Sequence, residues 1–525
     1  MNKIDRDYKV RNFHQAKWDE PIIFELSQKG ERGVIPPNAS EEVVNCIGDG
    51  VSVLPDSMKR KDIDLPEISQ HRVLRHYLRL SQQTLGADLN IEIGQGTCTV
   101  KYSPKINEKL SRLPQMTEIH PLQDESTIQG VLEIIKHTED YMKEISGMDR
   151  FSFQPGGGSQ AIMTMASLVR AYHDKNKASE IKDEIITTIY SHPSDAAAPA
   201  LKGYKIIKIL PDENGYPDYE AFKAAVSERT AAFIVANPED TGVFNPRVKE
   251  FTDLVHEFGG LCCYDQANAN GLLGVTRAKE AGFDMCFFNL HKTFSAPHGC
   301  GGPACGVVGV VEKIVSFLPV PLVDYNENNK NYFLNYNLEN SIGKVRMFNG
   351  VIQVVLKAYA WMRSLGAEGL YEVAKIAVLN NNYLFKKLME HKSIDAPYIE
   401  GRQRVEQVRY TLEKLKEDTG IGTGDIQRRM MDFGMHYWTS HHPYYIPEPF
   451  TLEPTETPSK EDLDEYIETL KYIIDEAYED ANIALNAPYR SSIHKVDESE
   501  LDDPNKWAIT WRAYKKKCNK QTQNA

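Results

Sequence analysis

Lys292 has the most reactive setting in the sequence. It lies in Phe287-Phe-Asn-Leu-His-Lys-Thr-Phe294, on no charged face and in no basic run. Apolar and small neighbours strip water from a lysine amine. A desolvated amine loses its proton and condenses with an aldehyde to form an imine. Upstream, Asp265 ends the apolar run that starts at Leu261, and Asn237 ends the run Ala232–Ala236. An acid at the carboxyl end of a central strand faces the crevice where α/β folds bind ligands; the competing reading is an Asp that caps the next turn. His192 follows a third run that ends at Tyr190. Finally, Gln154-Pro-Gly-Gly-Gly-Ser-Gln160 stands directly before a window with Ile162, Met165, Leu168, Val169 and Tyr172 on one helical face. Gly157, Gly158 and Ser159 let backbone N–H groups approach an anion, and a helix N-terminus adds positive partial charge. A phosphate is expected there, with a plain tight turn as the alternative.

The elements that must position these groups alternate. Short β-branched and aromatic runs (Ile185–Tyr190, Lys205–Leu210, Ala232–Ala236, Leu261–Tyr264, Met285–Phe288, Val307–Val311) are separated by amphipathic windows. One such window places Val248, Phe251, Leu254, Val255 and Phe258 on one face and ends at Gly259. The pattern predicts an α/β fold with a mostly parallel sheet covered by helices on both sides. Residues 1–80, punctuated by Pro36, Pro37, Pro55 and Pro66, read as an extended segment that wraps a neighbour. Residues 81–345 form the large α/β domain and 346–525 a smaller α+β domain. In the latter, Ser459 and Asp462 cap a helix striped by Leu463, Tyr466, Ile467, Leu470, Ile473 and Ile474.

The chain of 525 residues carries 61 basic and 74 acidic side chains, a formal charge of −13. That balance argues against a dedicated nucleic-acid binder. No apolar stretch predicts a membrane span or a secretory leader, so no membrane partner is expected. Of the eight cysteines none makes a CxxC pair or a metal-ligand spacing. Cys262, Cys263 and Cys286 read as reduced core thiols, which points to a cytoplasmic, reducing compartment. No metal site is expected.

Phosphate cradle, strand-end Asn, strand-end Asp and strand-end Lys, in that order, is the layout of fold-type I pyridoxal 5′-phosphate (PLP) enzymes. In such a site Lys292 carries the aldehyde as a Schiff base. Asp265 keeps the pyridine nitrogen protonated, so that the ring accepts electrons. Asn237 donates to the ring hydroxyl, and His192 stacks on the ring face or is merely structural.

Phe288-Asn-Leu-His-Lys-Thr-Phe-Ser-Ala-Pro-His-Gly-Cys-Gly-Gly-Pro303 resembles the lysine segment of glycine dehydrogenase (decarboxylating), the P-protein of the glycine cleavage system, and specifically subunit 2 of its split bacterial form. The likeness extends through Arg75–Gln82, Cys98–Lys105, His120–Gln123, Phe317–Pro321, Ser364–Leu370, Ala377–Asn380 and Glu453–Thr457. It implies a PLP-dependent subunit that decarboxylates an amino acid, glycine, and passes the aminomethyl group to lipoyl H-protein. A heterotetramer with P-protein subunit 1 is implied too. Lys292 and His192 are then catalytic, with Ala267 and His291 added to the cofactor set. Thr97, Cys98 and Arg346 face substrate; for Cys98 a structural thiol, and for Arg346 a structural ion pair, are the alternatives.

Several pocket segments depart from the family pattern. Gly94-Gln-Gly-Thr-Cys-Thr99 replaces Pro-Leu-Gly-Ser-Cys-Thr, and Gly158-Ser-Gln-Ala-Ile162 replaces Gly-Ala-His-Gly-Glu. Ser191-His-Pro-Ser-Asp-Ala196 replaces Ala-His-Gly-Thr-Asn-Pro, and Asp265-Gln-Ala-Asn268 replaces Asp-Gly-Ala-Asn. His436-Tyr-Trp-Thr439 stands for His-Pro-Pro-Thr. Mismatched polar groups in a pocket change specificity strongly. Three readings therefore stay open: a working glycine decarboxylase subunit, a PLP-dependent paralogue for another amino compound, or a non-catalytic scaffold.

Overall fold

The computed structural model describes residues 8–523 except 49, 61, 62, 87, 92, 94–100, 300, 301, 399–402, 437–444, 497–502 and 504–506. The chain divides into two compact units. One comprises Met1–Arg11 and Ala87–Leu485, the other Asn12–Gly86 and Asn486–Ala525.

The larger unit is built on a seven-stranded sheet. Its strands are β1 (Arg150–Ser152), β2 (Glu184–Thr188), β3 (Lys205–Ile209), β4 (Thr230–Ala236), β5 (Leu261–Gln266), β6 (Met285–Asn289) and β7 (Gly306–Val310). They lie in the order β1-β7-β6-β5-β4-β2-β3. The five strands from β3 to β6 run parallel, whereas β7 and β1 are antiparallel to their neighbours. The expected fold class is thus observed. Strand periodicity explains why β4 to β7 are apolar throughout. Phe233, Val235, Cys262, Tyr264, Cys286, Phe288 and Val307 enter one core, while Ile234, Cys263, Met285, Phe287 and Val308 enter the other. Helices Gln129–Ser146, Val248–Glu257 and Ile352–Leu388 cover the first face through Leu132, Phe251 and Val355. Helix Gly158–Lys175 covers the second through Ile162, Met165 and Leu168. Each such side chain contributes roughly 1.5–3 kcal/mol on burial.

A separate core occupies the C-terminal part of this unit. It joins the antiparallel pair β10 (Val408–Thr411) and β11 (Pro449–Leu452) to helix Lys460–Glu479. The sheet hairpin β8 (Leu322–Asn326) and β9 (Asn331–Asn335) lies between the two cores in sequence. Helix Lys460–Glu479 begins as expected: Ser459 Oγ accepts from the Asp462 N–H and Asp462 Oδ2 accepts from the Ser459 N–H. Its whole predicted stripe, Leu463 to Ile474, is buried.

In the smaller unit, Phe24 stacks on Trp511 and Trp18 donates to Gln82. Helix Gln70–Gln82 buries His76 against Glu20 and leaves Leu74, Tyr77 and Leu78 exposed. No helix among the described residues is long and apolar enough to cross a membrane. Cys262, Cys263, Cys286 and Cys305 are buried free thiols.

Candidate active site

The carboxyl ends of the parallel strands share one cavity. Tyr190, Ser191, His192 and Pro193 wall it after β2, Ala236, Pro238 and Asp240 after β4, Asp265, Ala267 and Asn268 at β5, and Lys292 after β6. Glu406 and Gln407 close it from the segment before β10. The space takes in about 570 Å³, part of it open to solvent. Four expected residues therefore meet here: His192, Asp265, Ala267 and Lys292. They meet because parallel strands end at one edge, so that distant sequence segments converge on it.

Each is fixed locally. Lys292 sits in the turn after β6, its N–H donating to the Asn289 carbonyl (3.0 Å). Asp265 is buried, and its Oδ1 accepts from the Ala267 N–H (2.8 Å). His192 is the N-cap of helix Pro193–Leu201; its Nδ1 accepts from the Ser194 N–H (3.1 Å) and lies 2.7 Å from Ser194 Oγ.

The glycine segment forms the start of helix Gly158–Lys175, with Ser159 exposed in its first turn. It abuts the end of β6: a Cβ on Gly158 would stand 2.9 Å from the Asn289 amide nitrogen. That nitrogen ends the Asn289 side chain, so a larger residue at 158 would displace Asn289. The glycine segment expected to hold a phosphate, Gly157, Gly158 and Ser159, thus stands beside the strand whose end carries Lys292. An amine and a carboxylate in one cavity, near the start of helix Gly158–Lys175, form a donor set that fits PLP.

The structure places other expected residues elsewhere. The side chain of Asn237 is committed to Asn245: Nδ2 donates to its carbonyl (3.0 Å) and Oδ1 accepts from its N–H (2.8 Å). This two-point match closes the loop that carries Pro238 and Asp240. His291 is buried with Nδ1 3.2 Å from the Cys305 carbonyl oxygen, and its ring meets His298 edge-on. Burial, then the nearby Lys292 charge, push its imidazole down to about 3. It supports the turn as a neutral ring and is not a wall of the cavity. Arg346 is exposed and packs on the glycine segment, where a Cβ on Gly156 would stand 1.6 Å from a guanidinium nitrogen. It faces the cradle side and does not line the Lys292 cavity. Thr97 and Cys98, like most of His436–Thr439, lie outside the described residues.

Four carboxyls near the cavity were not expected. Glu406, Glu453, Glu239 and Asp195 are buried. Glu453 accepts from the side-chain amides of Asn268 (2.8 Å) and Asn270 (2.6 Å). Burial pushes Glu453 up to about 7, opposed by those two amides, Lys292 and Lys101. Burial pushes Glu239 up to about 8 against a hydrogen bond from Thr188. Burial also raises Glu406, and Glu453 reinforces it. Asp240 pairs with the buried Arg409 and accepts from Gln407 (3.3 Å). One signal was available: Glu453 opens the Glu453–Thr457 segment already singled out. Glu406 and Arg409 sit in a stretch that reads as polar surface.

A protein of Pyrococcus horikoshii named probable glycine dehydrogenase (decarboxylating) subunit 2 is 43% identical over 504 residues, 96% of this chain and 98% of the relative. The chain belongs to the glycine dehydrogenase (decarboxylating) subunit 2 family. A second such subunit 2, from Caldanaerobacter subterraneus, is 40% identical over 91% of this chain and 96% of its own length. Glycine dehydrogenase, C-terminal domain, is the family model that matches residues 373–491, which hold Glu406, Arg409 and Glu453. Aminotransferase class-V matches residues 122–305, which hold the glycine segment, Asp265 and Lys292. The fold of this subunit 2 family member is similar to that of a crystal structure of glycine decarboxylase (P-protein) of the glycine cleavage system in inhibitor-bound form. That likeness has a TM-score of 0.70 at 20% identity, over 84% of this chain and all of the other. A NifS-like protein gives a TM-score of 0.56 at 15% identity, over 73% of this chain and 98% of the other.

Proposed function

We infer that the chain is the PLP-dependent, glycine-decarboxylating subunit of the glycine cleavage system. The observation that carries this reading is the meeting of Lys292, Asp265 and His192 in one cavity beside a glycine cradle, in a member of the subunit 2 family. When bound, PLP supplies a ring that takes up the electron pair released as CO2 leaves.

The chain's own groups do the rest. Lys292 would anchor the aldehyde carbon and offer an amine for proton transfer at the substrate carbon. Asp265 would hold the proton on the ring nitrogen, and His192 would contact the ring. Backbone N–H groups of Gly157, Gly158 and Ser159 hold the phosphate, and Arg346 neutralises it from the loop's outer side. Asn237 and His291 brace the two strand-end turns. Glu406 and Gln407 cover the cavity and keep water from the reacting carbon. Glu453, with its proton held near neutral pH, sets the field at Lys292.

The partners are P-protein subunit 1, in a hetero-oligomer, and lipoyl H-protein, which takes the aminomethyl group. The compartment is the cytoplasm. The division into a wrapping segment 1–80, a cofactor domain 81–345 and a smaller domain 346–525 belongs to the same reading. The core that joins β10, β11 and helix Lys460–Glu479 supports a second domain, while helix Ile352–Leu388 packs through Val355 and Trp361 into the core of the cofactor domain. Exposed Leu74, Tyr77 and Leu78 provide an apolar face for subunit 1.

The test is glycine–bicarbonate exchange by the PLP-loaded chain with subunit 1 and lipoylated H-protein. Exchange that requires all components is expected. Its absence alongside a response to another amine would reassign the substrate, and failure to bind PLP would leave only a scaffold.

A further inference from the structure

We propose that Asp195 is a positioning residue for Asp265: a buried, neutral carboxylic acid whose O–H donates to the Asp265 carboxylate. The inference rests on the assignment of Asp265 to the cofactor's ring nitrogen. Asp195 is the third residue of helix Pro193–Leu201, which His192 caps at the cavity's edge. Its relative exposure is 0%. Both carboxyl oxygens are shut off from solvent, and neither accepts from an N–H group or another protein donor. Its side chain is nevertheless within hydrogen-bond reach of Asp265.

A contact between two carboxylates sets acceptor against acceptor and charge against charge. It becomes a hydrogen bond only when one member carries a proton. The two members are not equivalent. Asp265 receives the Ala267 N–H and faces the cavity that Lys292 and His192 also line. Asp195 has no N–H donor on its oxygens and no exposure to solvent, so the proton resides on Asp195. The other groups around it support this. Burial raises its carboxyl well above the usual range, Asp265 and Glu239 raise it further, and Lys292 opposes them. The buried thiol of Cys263 lies nearby, and burial raises it too.

The pair therefore presents one negative charge to the cavity, fixed in orientation by a short side chain on a packed helix. Ionisation of Asp195 would double that charge, and its loss would leave Asp265 held only by the Ala267 N–H. Asp195→Asn preserves a neutral donor at the same place. Asp195→Leu preserves the volume but removes the donor.

The first measurement uses the full chain without PLP, by difference infrared spectroscopy between wild type and Asp195→Asn near neutral pH. The expected result is loss of the carbonyl stretch of a protonated carboxyl group. Loss of carboxylate bands alone would overturn the proposal. The second is PLP affinity of the full chain. Asp195→Asn is expected to stay within about threefold of wild type and Asp195→Leu to weaken by about tenfold or more, the scale of a hydrogen bond to a charged group. Equal affinity of wild type and the Leu variant would also overturn it. Wild type that fails to bind PLP would instead overturn the cofactor reading, while the infrared result still decides the state of Asp195.

Discussion

Asp265 and Lys292 wall the same cavity from adjacent parallel strands, with Asp265 in register with Phe287 of β6. Backbone hydrogen bonds along β5 and β6 fix where each strand ends, and the turn after Asn289 brings the amine to the acid's edge of the sheet. Their spacing thus depends on strand register, not on surface side chains that could rearrange.

This arrangement predicts that Asp265→Ala leaves the fold and the Lys292 linkage intact but slows chemistry. Removing a preorganised charge from a reacting centre costs about 10²–10³ in rate. Glycine–bicarbonate exchange should fall by about that factor while the absorbance of the lysine-bound cofactor persists. Full activity would show that another group serves the ring nitrogen.

Glu239 predicts a pH dependence of stability. The folded state keeps its proton up to about pH 8, against an ordinary value of 4.5. Between these values the folded chain holds a proton that the unfolded chain has lost. Its contribution is full below pH 4.5 and declines as pH rises to about 8. Glu239→Gln, which keeps an acceptor for Thr188, should lose less stability than wild type over that window, by on the order of a few kcal/mol. Urea unfolding of both proteins at about pH 5 and about pH 9 checks this, because the other buried carboxyls contribute equally to each.

Gly242 predicts a purely steric effect. Its φ is +76°, and a Cβ there would stand 1.8 Å from the Gln407 carbonyl oxygen, a backbone atom. Gly242→Ala should destabilise the chain by at least about 2 kcal/mol, from left-handed strain plus the clash. PLP affinity should fall too, because Gln407 lines the cavity. A wild-type urea midpoint would show that segment 404–407 yields easily.

Much of this site was legible because parallel strands announce themselves as short apolar runs, and the residue after each run lands at the ligand edge. That rule located His192, Asp265 and Lys292. At Asn237, strand-end position does not reveal that the side-chain amide also ties its loop to Asn245. The rule missed Glu406 and Arg409, because charged residues in a polar stretch look like solvated surface until a second core buries them. Arg346 stands out in the sequence for its chemistry, and only the three-dimensional structure shows that it packs against Gly156.

The exposed face of helix Gln70–Gln82 predicts a separable defect. Leu78→Glu places a charge among Leu74, Tyr77 and Leu78 without touching the buried His76. PLP binding should be unchanged while co-purification with subunit 1 drops at least tenfold, the scale of a lost interface anchor. Unimpaired co-purification would remove this face from the interface.

The central claim is the covalent anchor at Lys292. Borohydride reduction of the PLP-loaded chain, followed by peptide mass mapping, tests it directly. A reduced pyridoxyl group on Lys292 is predicted, and its absence in Lys292→Ala. A label on a different lysine, or no label on a chain that binds PLP, would contradict the account.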